Sequence, residues 1–325
     1  MPAIYVSDAI HAEALKKLSA LGTVYQGYGE HAVAYESVSE QIDAVMLRAE
    51  IFDAEKIEAS PKLKVIARHG VGTDNVDIEA ATRAGIWVTS TPGSNSRAVA
   101  EHVFALLLSL ARRTPYGVQA VSQGSWSEAK PHMLGFELHG KSLGLLGYGS
   151  ISRMVHAIAT GFGMKVLVHD PFVSDSDILA AGAGPADFDA LIAQSDVLSL
   201  HLPLTDSTAE IISTQALAHM KQGAILVNTS RGGLVNEQAL LEALENGHLH
   251  GAALDVLHSE SVDMKNPLPH SVLAAAGLPN LILTPHVAGQ SAEAFLAAGI
   301  QAFESIDSAL RGKVPSAALN LVSLV

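Results

Sequence analysis

Ten short runs of apolar, β-favouring residues recur along the chain, and stretches of helical length part them. Four come first, at 3–6 (AIYV), 44–47 (AVML), 65–67 (VIA) and 86–89 (IWVT). Six more follow, at 142–146 (SLGLL), 165–169 (KVLVH), 197–200 (VLSL), 224–228 (AILVN), 251–254 (GAAL) and 281–284 (LILT). Strands that are apolar almost throughout, instead of alternating, are buried on both faces. The intervening stretches, such as 11–20 and 78–84, supply the helices that cover them. The pattern therefore predicts an α/β chain built on parallel sheets.

The two blocks of strands are parted by residues 96–131. Its first half, 98–111, is apolar all round and reads as a buried helix. Its second half is polar, with Gly124 and Trp126 and no evident strand. A domain change is expected at its start, and 325 residues suit two domains of roughly 100–200 each. After the last strand comes a helical pattern at 292–310, then an apolar, strand-like tail at 317–325. Such a tail must pack on something, and a return to the first domain is expected. That domain would then be discontinuous, made of 1–96 and 290–325, with 97–289 forming the second. No internal repeat or low-complexity tract is evident.

Charge narrows the function. With 20 Lys+Arg against 33 Asp+Glu, the net charge is −13. Such a surface repels phosphate backbones and anionic lipid, so neither nucleic acid nor a membrane is an expected partner. There is no cysteine, which excludes disulfides, thiolate metal sites and Cys nucleophiles. The start, MPAIYVSDAI, has neither the basic nor the long apolar region of a signal peptide. Apolar stretches such as 103–108 fall short of the ~18 residues of a membrane span. A cytoplasmic location is the expectation.

The strand at 142–146 runs into Gly147-Tyr148-Gly149-Ser150-Ile151-Ser152. Gly147 permits a tight strand-to-helix turn. Gly149 lets backbone approach a pyrophosphate seated on the positive end of the following helix. Ser152 stands where a third glycine would allow the closest helix–strand packing, so slightly looser packing is expected. A helix pattern follows at 151–160, and the next strand, 165–169, ends in Asp170. An acid placed roughly 20 residues after the turn hydrogen-bonds an adenosine ribose and repels a 2′-phosphate. The expected cofactor is NAD. The plainer reading is a tight turn with no ligand.

Three side chains combine chemistry with placement at strand ends. Arg231 follows the strand 224–228, Glu260 lies beyond 251–254 and Asp255, and His286 follows 281–284. Open α/β sheets bind ligands at the carboxyl ends of their strands. An Arg there can grip a carboxylate with two parallel hydrogen bonds. A His can exchange a proton with a hydroxyl near neutral pH, and a carboxylate beside an imidazole favours its charged form and orients the ring. Each also has a bland reading: a helix-capping Arg, a solvated Glu, a core His among 15. No metal is expected, because no spacing of ligands involves these residues.

Together these segments resemble the NAD-dependent D-2-hydroxyacid dehydrogenases, in the branch of D-3-phosphoglycerate dehydrogenase and the hydroxypyruvate and glyoxylate reductases. The likeness runs over almost the whole chain. It rests on RHGVGTDNVD at 68–77, AEH at 100–102, GKSLG at 140–144 before the glycine turn, HLPLT at 201–205, and the segments 228–237 and 284–289. The resemblance implies a Rossmann NAD domain in the middle of the chain and a flavodoxin-like substrate domain made from both ends. It implies a homodimer through the NAD domain, with helix 98–111 taking part. It assigns catalysis to Arg231, Glu260 and His286. Substrate binding falls to the Val71 and Gly72 amides, Arg48 and Asn95. Besides Gly147 and Gly149, it assigns Ser150 and Ile151 to the pyrophosphate, Asp170 to the ribose, His201 and Pro203 to the adenosine, and Thr229 and Asp255 to the nicotinamide amide.

The implied reaction is reversible hydride transfer between NAD(H) and a small 2-hydroxy or 2-oxo acid: hydroxypyruvate, glyoxylate or a phosphoglycerate-like acid. Departures from the pattern bear on the acid. Ser261-Val262-Asp263 follow Glu260 where Pro is common, and Leu257 and His258 replace Phe and Glu. Ser127 and Glu128 stand near Trp126 where some phosphoglycerate enzymes carry a basic residue, Lys130 being further on, which argues against 3-phosphoglycerate as main substrate. No C-terminal regulatory extension is expected. A formate dehydrogenase would pair its His with an amide, which Glu260 opposes. The alternative of another class is an NAD-sensing, corepressor-like binding protein of the same fold.

Overall fold

The computed structural model describes residues 1–264 and 266–322. The chain divides into two compact units, Met1–Asn95 with Gln290–Val325, and Ser96–Gly289.

The first unit holds a five-stranded sheet of β1 (Ala3–Val6), β2 (Thr23–Gln26), β3 (Ala44–Leu47), β4 (Val65–Arg68) and β5 (Trp87–Thr89). Every pair is parallel and the order is β2-β1-β3-β4-β5, the flavodoxin-like order. Successive side chains point to opposite faces, so an all-apolar strand feeds two cores. Ile4, Val6, Ala44 and Met46 pack with Leu18, Ala302 and Ile306 from the helices Ala12–Leu21 and Ala292–Leu310. Tyr5, Val45, Leu47 and Ile66 pack the other way, with Ile57, Ala80 and the rings of Tyr35 and Phe52.

Of the strand-like tail expected at 317–325, the described residues 317–322 form no strand. Thr89 and Ala318 make an isolated antiparallel bridge, and Leu319 N donates to Val88 O at 2.8 Å. The next donor on β5, Val88 N, is then met by a side chain, Asn320 Oδ1, at 2.9 Å. The same carboxamide donates to Ile86 O and Thr82 Oγ1, both at 2.9 Å. Asn320 substitutes for a strand at that edge. Residues 323–325 of the expected tail lie outside the described residues.

The second unit holds a seven-stranded sheet. Its strands are β6 (Ser142–Leu146), β7 (Lys165–His169), β8 (Gly184–Pro185), β9 (Val197–Leu200), β10 (Ala224–Asn228), β11 (Leu249–Leu254) and β12 (Leu281–Leu283). They are all parallel, in the order β12-β11-β10-β9-β6-β7-β8. The chain winds outward from β6 through β8, then returns to the other side of β6 at β9. That reversal opens a crevice at the strands' carboxyl ends, in the Rossmann manner. The helices Ser96–Ala111 and Ser150–Gly161 cover one face. The helices Phe188–Gln194, Thr214–His219 and Glu237–Glu245 cover the other. The helix expected from 98 begins two residues earlier, at a buried Ser96.

Candidate active site

The turn after β6 has the geometry that its glycines require. Gly147 has φ of +93°, and a Cβ there would lie 2.6 Å from the His201 carbonyl oxygen. A Cβ on Gly149 would meet nothing within 4 Å, so the chain leaves open space at this point. Gly149 starts the helix Ser150–Gly161 without a side-chain cap. Asp170 lies beside the turn. One carboxylate oxygen accepts from Tyr148 N at 2.7 Å and the other from Phe172 N at 2.8 Å. The glycine turn and its acidic partner are thus joined by a direct hydrogen bond. Ser152 is fully buried, and its hydroxyl has no hydrogen-bond partner among the described residues. Ser150 Oγ lies 3.1 Å from Ser96 Oγ, and Ile151 is partly buried against the core.

His201 continues from β9, and its Nε2 meets Ser199 Oγ at 3.0 Å. Loss of hydration pushes its pKa down to about 4, so the ring is neutral near pH 7. Pro203, two residues on, is exposed. Thr229, just past β10, has a buried hydroxyl oxygen with no partner among the described residues.

The loop after β12 is built around Asp255, which is 1% exposed. Its carboxylate accepts from Thr284 Oγ1, from Val287 N at 3.0 Å and from Ala288 N at 2.7 Å. Its carbonyl accepts from His286 N at 2.9 Å. His286 is therefore held from both sides, with φ of +53°, a left-handed backbone uncommon outside glycine. His102 Nε2 reaches the same anchor, 3.2 Å from Thr284 Oγ1 and 3.6 Å from Asp255 Oδ1.

Glu260 sits in the 3₁₀ turn His258–Ser261. One carboxylate oxygen accepts from Leu257 N at 3.0 Å, and the other meets His286 Nδ1 at 2.8 Å. The carboxylate is largely buried and the imidazole about half exposed, with side-chain exposures of 13% and 46%. Arg231 leaves β10 through a turn tied by Asn228. That carboxamide donates to Arg231 O at 2.8 Å and accepts from Ser230 N at 2.9 Å. The Arg231 Nη1 donates to Ser230 O at 2.7 Å. Gly232 then rests on the backbone of Leu257 and His258, where an added Cβ would come within 2.0 Å. This contact seats the Arg231 loop against the turn that carries Glu260.

Arg231, Glu260 and His286 are thus gathered by neighbouring loops of one unit. Arg48, Val71, Gly72 and Asn95 belong to the other. There the Arg48 guanidinium lies 4.7 Å from the Phe295 ring centroid. Val71 is 45% exposed, Gly72 is partly exposed, and Asn95 Oδ1 is buried with no partner among the described residues. No group of three or more potential metal ligands occurs among the described residues. Reading from the residues alone passes over Asp255 as the anchor of the His286 loop, and over Asn228 and Gly232. The adjacent glycines after Arg231 were the one available signal of a close backbone contact.

Residues 104–288 match the family model described as D-isomer specific 2-hydroxyacid dehydrogenase, NAD binding domain. The chain belongs to the D-isomer specific 2-hydroxyacid dehydrogenase family. This 2-hydroxyacid dehydrogenase family member is 37% identical to a glyoxylate reductase of Korarchaeum cryptofilum over 89% of its own length and 85% of that protein's. It is 36% identical to the D-3-phosphoglycerate dehydrogenase of Synechocystis over its full length. The chain spans only 52–60% of the length of the curated phosphoglycerate dehydrogenases it matches. Among solved structures, it resembles D-lactate dehydrogenase of Aquifex aeolicus complexed with NAD and lactic acid. That likeness has a TM-score of 0.84 at 27% identity, covering 99% of this chain and 100% of the other.

Proposed function

We propose that the chain is an NAD-dependent oxidoreductase that interconverts a small 2-hydroxy acid and its 2-oxo acid. The observation that carries this reading is the Glu260–His286 pair at 2.8 Å. It joins a titratable ring to a carboxylate that is itself fixed by Leu257 N, beside the loop that presents Arg231. The middle of the chain suits NAD: open space at Gly149, an orphaned Thr229 hydroxyl, and Asp170 pinned next to the turn. Bound NAD supplies or accepts the hydride at C2 of the acid.

The chain's own groups do the rest. Arg231 grips the substrate carboxylate and carbonyl, with the Val71 and Gly72 amides, Arg48 and Asn95 as further contacts. With Nδ1 on Glu260, proton exchange with the substrate oxygen falls to His286 Nε2. It donates to the developing alkoxide in reduction and removes the hydroxyl proton in oxidation. Glu260 holds the ring's orientation. Ser150 and Ile151 meet the pyrophosphate at the helix start, and Asp170 the ribose. His201 and Pro203 flank the adenosine. Thr229 meets the nicotinamide amide, and Asp255 serves beside it chiefly by holding the loop of His286.

The test is NADH and NADPH oxidation by the purified chain with glyoxylate, hydroxypyruvate, pyruvate and 3-phosphohydroxypyruvate. Reduction of at least one acid, with NADH preferred, is the expected result. Tight NADH binding with no acid reduced would instead favour a sensor of the cofactor. Within this reading the protein is cytoplasmic, which cell fractionation checks, and a homodimer through the NAD-binding unit. Val118, Val121, Trp126 and Leu134 are each more than half exposed on the segment after helix Ser96–Ala111, and pairing of two copies would cover them. Light scattering at twice the chain mass is expected, and a monomer at working concentration would remove the dimer.

A further inference from the structure

Two loops of the first unit, the one after β3 and the one after β4, are tied together by a side chain with no role so far. Asn75 donates through Nδ2 to two backbone carbonyls after β3, Glu50 O at 2.6 Å and Arg48 O at 3.3 Å. Its Oδ1 accepts from Arg68 Nε at 3.1 Å. Its own carbonyl accepts from Phe52 N at 2.8 Å, and Phe52 and Val76 form a parallel bridge. The carboxamide thus satisfies acceptors on one loop and a guanidinium at the root of the other.

The span 71–74 lies between two fixed points. One is Asn75. The other is Gly70, whose N donates to Thr91 Oγ1 and whose carbonyl accepts from Thr91 N, both at 3.0 Å. Gly70 has φ of +148°, and a Cβ there would lie 2.9 Å from Arg68 Nη1. Arg68 in turn donates to His69 O at 2.8 Å. Val71 and Gly72 are therefore carried on a short exposed bridge pinned at both ends. Arg48, whose carbonyl Asn75 holds, has its guanidinium set over Phe295.

We infer that Asn75 is a positioning residue, which fixes the distance between the Val71-Gly72 amides and Arg48 and so sets the pocket for the acid without touching it. This rests on the dehydrogenase reading above, in which those two loops bind the substrate. Asparagine suits the task because one planar group donates two hydrogen bonds and accepts another. Aspartate has the same shape but would face the carbonyls of Arg48 and Glu50 with oxygens alone.

The test compares wild type with Asn75→Asp and the milder Asn75→Ser. Two readouts are needed: steady-state kinetics with the best 2-oxo acid, and backbone hydrogen exchange. Loss of two hydrogen bonds should raise KM for the acid roughly tenfold or more. KM for NADH should stay within about twofold and kcat should fall much less than KM rises. Exchange should quicken in the peptides covering 48–52 and 70–76 while β6–β12 keep their protection. An unchanged KM for the acid, or an equal rise in KM for NADH, overturns the inference. So does exchange that is unaltered, or raised throughout the unit. A wild type that reduces no acid overturns the dehydrogenase reading and the substrate part of this inference, while the exchange result still decides whether Asn75 ties the loops.

Discussion

Gly232 lies so close to Leu257 that a Cβ on the glycine would fall 2.0 Å from the Leu257 carbonyl carbon. Backbone cannot yield there as the end of a flexible side chain would. The loop of Arg231 therefore has to move when anything larger than glycine stands at 232. Gly232→Ala should lower kcat/KM for the acid by ~10²-fold through misplacement of Arg231 and the Glu260 turn. NADH affinity, measured by fluorescence titration, should change little. A variant with wild-type kcat/KM would show that the contact is not what sets the site.

His286 and Glu260 should differ in what they cost. His286→Ala removes the proton donor and should lower kcat by about 10²–10⁴-fold, with NADH binding near normal. Glu260→Gln keeps a hydrogen-bonding group at the same place but removes the negative charge beside Nδ1. It should lower kcat by less than His286→Ala does, because the ring keeps a partner at Nδ1. Equal activity of His286→Ala and wild type would take His286 out of the mechanism.

Asp170 is pinned by two backbone donors beside the glycine turn, so its charge cannot swing away from a 2′-phosphate. Asp170→Ala should narrow the NADH-over-NADPH preference in kcat/KM by about tenfold or more, equivalent to ~1.4 kcal/mol. A wild type that already prefers NADPH would contradict the ribose assignment.

His201 bears on stability at low pH. Its folded pKa of about 4 lies below the ~6.5 of an unfolded histidine. As pH falls through that window the unfolded chain takes up a proton that the folded one refuses. Stability is therefore full above roughly pH 6.5 and declines toward pH 4, by at most ~1.4 kcal/mol per pH unit for this one group. Burial lowers His69, His156 and His250 in the same direction. Urea unfolding at pH 5, 6 and 7 should show the slope, and His201→Gln should reduce it by up to one proton. An unaltered slope would mean that the ring is not shielded from water.

Much of this was legible because the strands are buried on both faces. AVML at 44–47, VLSL at 197–200 and AILVN at 224–228 have the same limits in the sequence and in the fold. TVYQ at 23–26 forms the edge strand β2 yet carries no continuous apolar run, since no residue of it is fully buried. Gly184–Pro185 is a strand of two residues, set by its neighbour β7 alone. In the site, the spacing at strand ends pointed to Arg231, Glu260 and His286. It could not show what Asp255 does, because its partners at 284–288 come to it only once β11 and β12 have paired. The tail misled for a related reason: apolar residues there promised a strand, but the Asn320 side chain makes the contacts with Val88 and Ile86 that backbone would otherwise make.

The helix Ala292–Leu310 and Asn320 complete the core and the edge of a sheet whose strands all lie within the first 95 residues. On a ribosome, β1–β5 emerge long before these last partners exist. The unit at 96–289 has all its own strands by then and can close first. The earlier segment must wait, with one apolar face covered only by the helix Ala12–Leu21, until translation has passed residue 320. During that interval the apolar surface that Ala302 and Ile306 will later cover is open to wrong contacts.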